Sequence, residues 1–184
     1  TDTIGQITPD MMDSLKFAIE NRVNKLGVAE TVVQRSGEKR LVVEIPDVSD
    51  LNQAKAYLGE TAELDFRKPV MNGNGMEEWI ATGLSGNDLN SANLSTNSQN
   101  GQWVVDLEFN AEGTKKFASL TKQMVGQQMA IFFNGELQSA PVIREPITGG
   151  RAQISGGDSG FAYEEAKKMV DLLNAGALPV PAKI

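Results

Sequence analysis

Apolar residues recur along this chain with two periods, and the switches between them mark out the elements. Met12, Leu15, Ile19, Val23 and Leu26 are spaced for one face of a helix. Thr8 offers a hydroxyl N-cap, Pro9 suits the first helical position, and Asp10 lies near the positive end of the dipole. Gly27 supplies a left-handed stop. "TVVQR" and "RLVVEI" are β-branched runs joined by Ser36-Gly37-Glu38-Lys39, which predicts a hairpin. Pro46 ends its second strand. Ser49 then opens a short helix carrying Leu51, Ala54 and Leu58, closed by Gly59. "AELDF" alternates Ala62, Leu64 and Phe66 on one face, as a half-buried strand does.

This order, α-β-β-α-β, matches a ferredoxin-like β-α-β-β-α-β unit without its first strand. That strand is central in the fold, so it is expected upstream of Thr1, or another segment fills the slot. "PVMNGNG", Pro69 to Gly75, is a turn-rich seam and the expected boundary. Beyond it, Trp79–Thr82 predicts a strand. "SGNDLNSANLSTNSQNG" predicts a short helical turn and a loop. "WVVDLEF" predicts a strand with Trp103, Val105, Leu107 and Phe109 on one face. Asn110 caps a helix striped by Phe117, Leu120 and Met124 and ended by Gly126. "MAIFF" reads as a buried strand, and Asn134-Gly135 is the dipeptide of a type I′ hairpin. Pro141 and Pro146 break the next stretch into edge segments. Tyr163 to Asn174 is the last helix, with Ala166, Met169, Val170 and Leu173 inward and Gly176 as its stop. The fold class is therefore α+β: a ferredoxin-like first unit and a second α+β unit.

Composition removes most chemistry. Among 184 residues there is no Cys and no His, which takes away disulfides, thiolate nucleophiles, the commonest metal ligand and the usual general base near neutral pH. A net charge of −7 argues against a nucleic-acid backbone or an anionic membrane surface as partner. No run approaches the ~20 apolar residues that span a bilayer. Thr1 is not a natural start, so a piece of a longer protein is expected.

The motifs that remain have plain readings. Gly157-Asp158-Ser159-Gly160 resembles a serine-protease loop but has no imidazole to serve it. Only a serine–lysine hydrolase using Ser159 would rescue that idea. "NGNG", Asn72 to Gly75, lacks the Lys-Ser/Thr pair of a phosphate loop and reads as a domain-joining turn. Asp88, Asn90 and Asn93 lack the spacing of a calcium loop. Glu164 and Glu165 suit the first turn of the last helix. No catalytic residue, cofactor or metal site is expected. Ile131, Phe133, Leu137, Val142 and Ile143 instead gather apolar surface around a hairpin and two prolines, where a broken edge strand can accept an extended peptide.

The blocks "NRVNKLGVAETVVQRSGEKRLVVEIPDV", "DLEFNAEGTKKFASLT", "ELQSAPVIREPITGGRAQISG" and "AGALPVP" resemble, in order, the SecD family of translocase accessory subunits. The resemblance covers nearly the whole chain. It implies the first large extracytoplasmic domain, in the periplasm or, in a photosynthetic source, the thylakoid lumen, of a parent that spans the membrane. It implies a base near the membrane, residues 1–69 with 159–184, carrying a head, residues 70–158. The joints are then expected at Pro69, Gly73 and Gly75 and at Gly156 and Gly157. The implied partners are SecF, the SecYEG channel and an unfolded preprotein drawn outward by the proton-motive force, with no enzyme activity. On this resemblance Gly176, Pro179 and Pro181 form a rigid strut leading towards the next membrane helix. The alternative is an interaction domain that binds other translocase subunits and no substrate.

Overall fold

The computed structural model describes residues 7–25, 30–46, 50–157 and 159–178. The chain packs into two compact units, residues 1–61 with 175–184 and residues 62–174.

The first unit is built on α1 (Pro9–Lys25), where the Thr8 hydroxyl accepts from the Met11 N–H at 3.3 Å as the sequence implied. Strands β1 (Val32–Arg35) and β2 (Leu41–Glu44) form a two-stranded antiparallel ribbon with Val33 opposite Val43. Helix α2 (Leu51–Gly59) follows. Ser49, expected as its cap, lies outside the described residues, as do Leu26 and Gly27; the Asp50 carboxylate accepts from the Asn52 N–H at 2.9 Å. Met12, Leu15, Ile19, Val23, Val33, Leu58 and Leu178 make the core of this unit.

One polar residue shares that buried face of α1. Arg22 is fully buried, and its Nη1 donates to the carbonyl of Leu58 at 2.9 Å and to that of Glu60. Its Nη2 donates to the carbonyl of Gly176 at 3.1 Å. Helix ends leave carbonyls without helical partners, and one guanidinium fork here satisfies those at the end of α2 and just past the last helix. Burial lowers the Arg22 pKa from its usual value.

The second unit holds two antiparallel sheets. Strands β3 (Leu64–Met71), β4 (Glu77–Ser85), β7 (Ala130–Phe133) and β8 (Glu136–Ser139) are ordered β4-β3-β7-β8. Strands β5 (Leu89–Thr96), β6 (Trp103–Phe109) and β9 (Arg151–Ile154) are ordered β5-β6-β9. Helices α3 (Ala111–Gln123) and α4 (Tyr163–Ala175) complete it. The Asn110 side chain caps α3 by accepting from the Gly113 N–H at 2.8 Å. Asn134 and Gly135 take φ of 51° and 82°, the conformation a type I′ hairpin requires.

Three expectations are corrected. "AELDF" is not the last strand of the first unit. It begins β3, where Leu64 pairs with Phe133 and Phe66 with Ile131, and both side chains are buried in the core of the second unit. Among the described residues the first unit therefore holds two strands. Second, Leu89–Thr96 is a strand and not a loop: Ala92 and Leu94 face inward opposite Leu107 and Val105. Its polar side is matched across the ladder, with the hydroxyls of Ser95 and Ser91 donating to Asp106 and Glu108 at 2.5 and 3.4 Å. Third, "NGNG" closes the β3–β4 hairpin inside the second unit, with the Asn72 carboxamide accepting from the N–H groups of Asn74 and Met76. By packing alone the units divide at 61/62 and 174/175, because β3 and the Ala166–Met169 face of α4 join the second core.

Replacing Arg22 by Met removes the guanidinium donor from the Leu58 and Gly176 carbonyls. Denaturant unfolding is expected to show a loss of about 2–4 kcal/mol, with faster amide exchange in the last turn of α2. Unchanged stability would show that water or relaxation replaces the guanidinium.

Candidate functional site

Within the second unit, a groove of about 350 Å³ opens beside β9. Its floor is apolar and drawn from three elements and their flanks: Phe66 from β3, Ile131 from β7, Phe117 from α3, then Met129 and Ile143. Phe66 and Phe117 stack obliquely with centroids 6.4 Å apart, so the floor is also core. The rim carries Val142, half exposed, with Arg144 and Glu145, one charge of each sign. The opposite wall is β9, through Ala152 and Gln153.

The near wall is the segment 141–147, which enters no sheet. Pro141 and Pro146 each lack an N–H, so it cannot build a continuous ladder. It is pinned instead. The Ile143 N–H donates to the Gln127 carbonyl at 2.9 Å, and the Gly126 N–H returns a bond to the Ile143 carbonyl at 2.8 Å. At its far end the Ile147 N–H donates to the Thr121 hydroxyl at 2.9 Å. That hydroxyl is buried and itself donates to the Phe117 carbonyl at 2.9 Å. One side chain on α3 thus fixes where the wall stands relative to the floor.

Of the residues expected to bind, the structure brings Ile131, Val142 and Ile143 together in the groove. Phe133 packs against the core from the other end of β7, and Leu137 sits half exposed on the edge strand β8. Sequence reasoning missed Phe117, Met129 and Phe66 as floor, because helical and alternating patterns give a buried face without its neighbours. It also missed Thr121, an ordinary polar residue among helix formers.

The residues expected at the joints lie inside the second unit. Pro69 pairs with Trp79 in the β3–β4 ladder, and Gly73 and Gly75 belong to that hairpin's turn. Gly156 has φ 66°, and a Cβ there would stand 2.9 Å from the Phe161 ring. Gly160 has φ 68° and presses on Gln102 in the same way. Close packing thus accounts for Gly156 and Gly160, whereas Gly157 meets nothing within 4 Å and is set apart by its φ of 68°. Gly176 has φ 87°, the left-handed stop expected after α4, while Pro179 and Pro181 lie outside the described residues. The Asp88 carboxylate accepts from the Ser85 N–H at 3.0 Å and from Lys116 at 2.7 Å. It is a cap and an ion pair, and the bond raises the Lys116 pKa from its usual value.

Two family models match the chain in succession. One described as "SecDF, P1 head subdomain" matches residues 71–180, and one described as "Protein translocase subunit SecDF, P1 domain, N-terminal" matches residues 12–70. The chain belongs to the SecD/SecDF family. The SecD subunit of Acidaminococcus fermentans is 45% identical over 98% of the chain and 40% of its own length. The SecDF subunit of Thermus thermophilus is 36% identical over 96% of the chain and 28% of its own length. A solved SecDF structure, described as that of a membrane component that enhances protein export, superposes with a TM-score of 0.85 at 32% identity, covering 99% of this chain and 96% of that one. SecDF in its super-membrane-facing form superposes with a TM-score of 0.84 at 34% identity, over 97% of this chain and 28% of that one. The chain spans about two fifths of the SecD subunits it matches. Among the described residues no helix is long and apolar enough to cross a membrane. The relatives are named as translocase subunits and not as enzymes.

Thr121→Val keeps the shape of the side chain and removes its hydroxyl, which takes the acceptor from the part-buried Ile147 N–H. A loss of about 1–3 kcal/mol in denaturant unfolding is expected, with faster exchange of the Ile147 amide. Thr121→Ser keeps the hydroxyl and is expected to restore slow exchange. Equal exchange in all three proteins would remove Thr121 from this role.

Proposed function

We propose that this domain binds extended segments of an unfolded preprotein in the groove beside β9, on the extracytoplasmic side of the inner membrane, and moves to assist their export. The observation that carries the reading is the groove itself: a pocket of about 350 Å³ with a largely apolar lining, where half-exposed Val142 stands on the rim beside one positive and one negative side chain. Such a lining rewards any apolar segment and selects against little, which is what a passenger of arbitrary sequence demands. Met129 adds adaptability, since its unbranched thioether chain repacks around differing partners. Neither Cys nor His is present to make or break bonds.

On this reading the parent subunit acts with SecF beside SecYEG, and the proton-motive force reaches this domain as movement. The chain crosses between its two units at 61/62 and 174/175, and we place the hinge there. Ala62, at the first crossing, holds an uncommon φ of 54° for a residue with a Cβ. The sequence from Gly176 onward is then where displacement would pass out of the domain.

One observation favours a second reading, a surface for other translocase subunits. The β3–β4 hairpin exposes Val70, Met71, Met76 and Ile80, apolar side chains that no described element covers. The two readings separate cleanly. Titration with a reduced, alkylated and permanently unfolded polypeptide is expected to saturate and to shift amides of residues 141–147 and 151–153. Val142→Asp, on the rim, is expected to weaken binding about tenfold, or about 1.4 kcal/mol. Shifts confined to the β3–β4 hairpin, or no saturable binding, would favour the subunit-docking reading.

A further inference from the structure

The groove has a wall that presents main chain as well as side chains. β9 pairs with β6 on one side and, among the described residues, has no strand on the other. The register sets Arg151 opposite Glu108, Ala152 opposite Leu107, Gln153 opposite Asp106 and Ile154 opposite Val105. The next pair sets the phase of the bonds, since the Phe109 N–H donates to the Gly150 carbonyl at 2.9 Å. In an antiparallel ladder, residues alternate between those that exchange bonds with the partner strand and those that turn their main chain away. Gly150, Ala152 and Ile154 therefore point towards β6. Arg151 and Gln153 point their N–H and C=O groups outward, along the free edge. Gln153 is also one of the two β9 residues that wall the groove.

An edge with unpaired main-chain groups is a template for another strand. Most proteins blunt such edges. Here the edge is short and carries the polar side chains Arg151 and Gln153, yet apolar floor lies directly beside it. The Gln153 side chain donates to Asp106 at 2.8 Å, which holds it along the sheet's outer face.

We infer that an incoming polypeptide pairs as a strand with the free edge of β9 through the main chain of Arg151 and Gln153, and sends alternate side chains into the apolar groove. The inference rests on the proposed role of the groove and adds its chemistry. Four residues of added strand run about 13 Å along β9 and turn two side chains, i and i+2, to one side. The ligand class is therefore an extended segment with apolar residues at alternate positions. The intervening positions are unrestricted, and a proline or an N-alkylated residue is rejected wherever its nitrogen should face β9.

The test uses the whole domain and the peptide acetyl-Lys-Leu-Thr-Val-Thr-Leu-Lys-amide. Single N-methylation at successive residues is expected to alternate in effect, weakening binding at least tenfold at one parity and less than twofold at the other. In the saturated complex the Arg151 and Gln153 amides are expected to become protected from exchange. Gln153→Pro removes an outward N–H that the β6–β9 ladder does not use, so the domain should fold and the peptide should bind at least tenfold more weakly. If N-methylation has the same effect at both parities, or if the two amides stay unprotected at saturation, strand pairing is overturned. If the unfolded polypeptide still saturates the groove in that case, only the strand mode fails. If neither the polypeptide nor the peptide binds, the groove reading fails with it.

Discussion

Three phenylalanines hold the second unit together, and the groove exists because of where they meet. Phe66 comes from the four-stranded sheet, Phe109 from the three-stranded sheet and Phe117 from α3. Their ring centroids lie 5.6 Å apart for Phe66–Phe109 and 4.7 Å apart for Phe109–Phe117. Each ring is almost wholly buried and contributes about 2–3 kcal/mol by leaving water. Tilted contacts add about 1 kcal/mol each. The more important consequence is geometric. Two sheets and a helix that share no ladder are fixed by one aromatic knot, and the space beside it is enclosed only where another strand would otherwise have paired. Loss of any one ring would loosen the joint between sheets and the groove floor together.

That coupling bears on how a binding surface can be apolar without collapsing. The apolar side chains beneath the groove, Phe66, Phe117, Ile131 and Ile143, are already buried, and half-exposed Val142 on the rim would gain by leaving water if the walls moved inward. The walls cannot. One is a strand fixed in register to β6, and the other is a proline-broken segment tied by hydrogen bonds to Thr121 on α3 and to Gly126, Gln127 and Met129 before β7. Pro141 and Pro146 matter twice over. They keep the segment from pairing with β9 and filling the groove, and they reduce the conformations it must lose to hold its shape. A similar economy appears in the first unit, where Arg22 replaces several separate caps with a single buried group.

Much of the local structure was legible in the residues, because local structure is decided locally. Thr8 and Asn110 have the side chains and positions of caps and bond as caps. Asn134-Gly135 was read as a hairpin and turns as one, with Asn134 also bonding Glu63 through side chain and main chain. Partnership was not legible. "AELDF" has the alternation of a strand, but nothing in five residues says which sheet it enters, and Phe66 sits opposite Ile131, sixty-five positions later. Leu89–Thr96 was hidden for another reason: Asn and Ser are poor strand formers alone, and only acids on β6 give the two Ser hydroxyls their partners. The site was half legible for the same cause. Ile131, Val142 and Ile143 lie near the hairpin in sequence, whereas Phe66, Phe117 and Ala152 arrive from elsewhere. Gly73 and Gly75 sit in the β3–β4 turn, and a turn within a hairpin reads in sequence like a turn between units.

The energetics of the groove suit a translocation subunit better than a tight receptor. Two apolar side chains and two or so main-chain pairs give a favourable interaction of only a few kcal/mol once the ordering of the bound chain is subtracted. Such a site releases its occupant quickly, and quick release is required if the next stretch of polypeptide is to be taken in turn. Main-chain pairing also explains tolerance, since every residue but proline offers the same N–H and C=O. A folded protein has spent most of those groups on its own strands and helices, so it offers fewer of them for β9 to pair with. On the proposed reading, an edge that pairs with an unfolded chain would compete for the same main-chain groups with that chain's own folding.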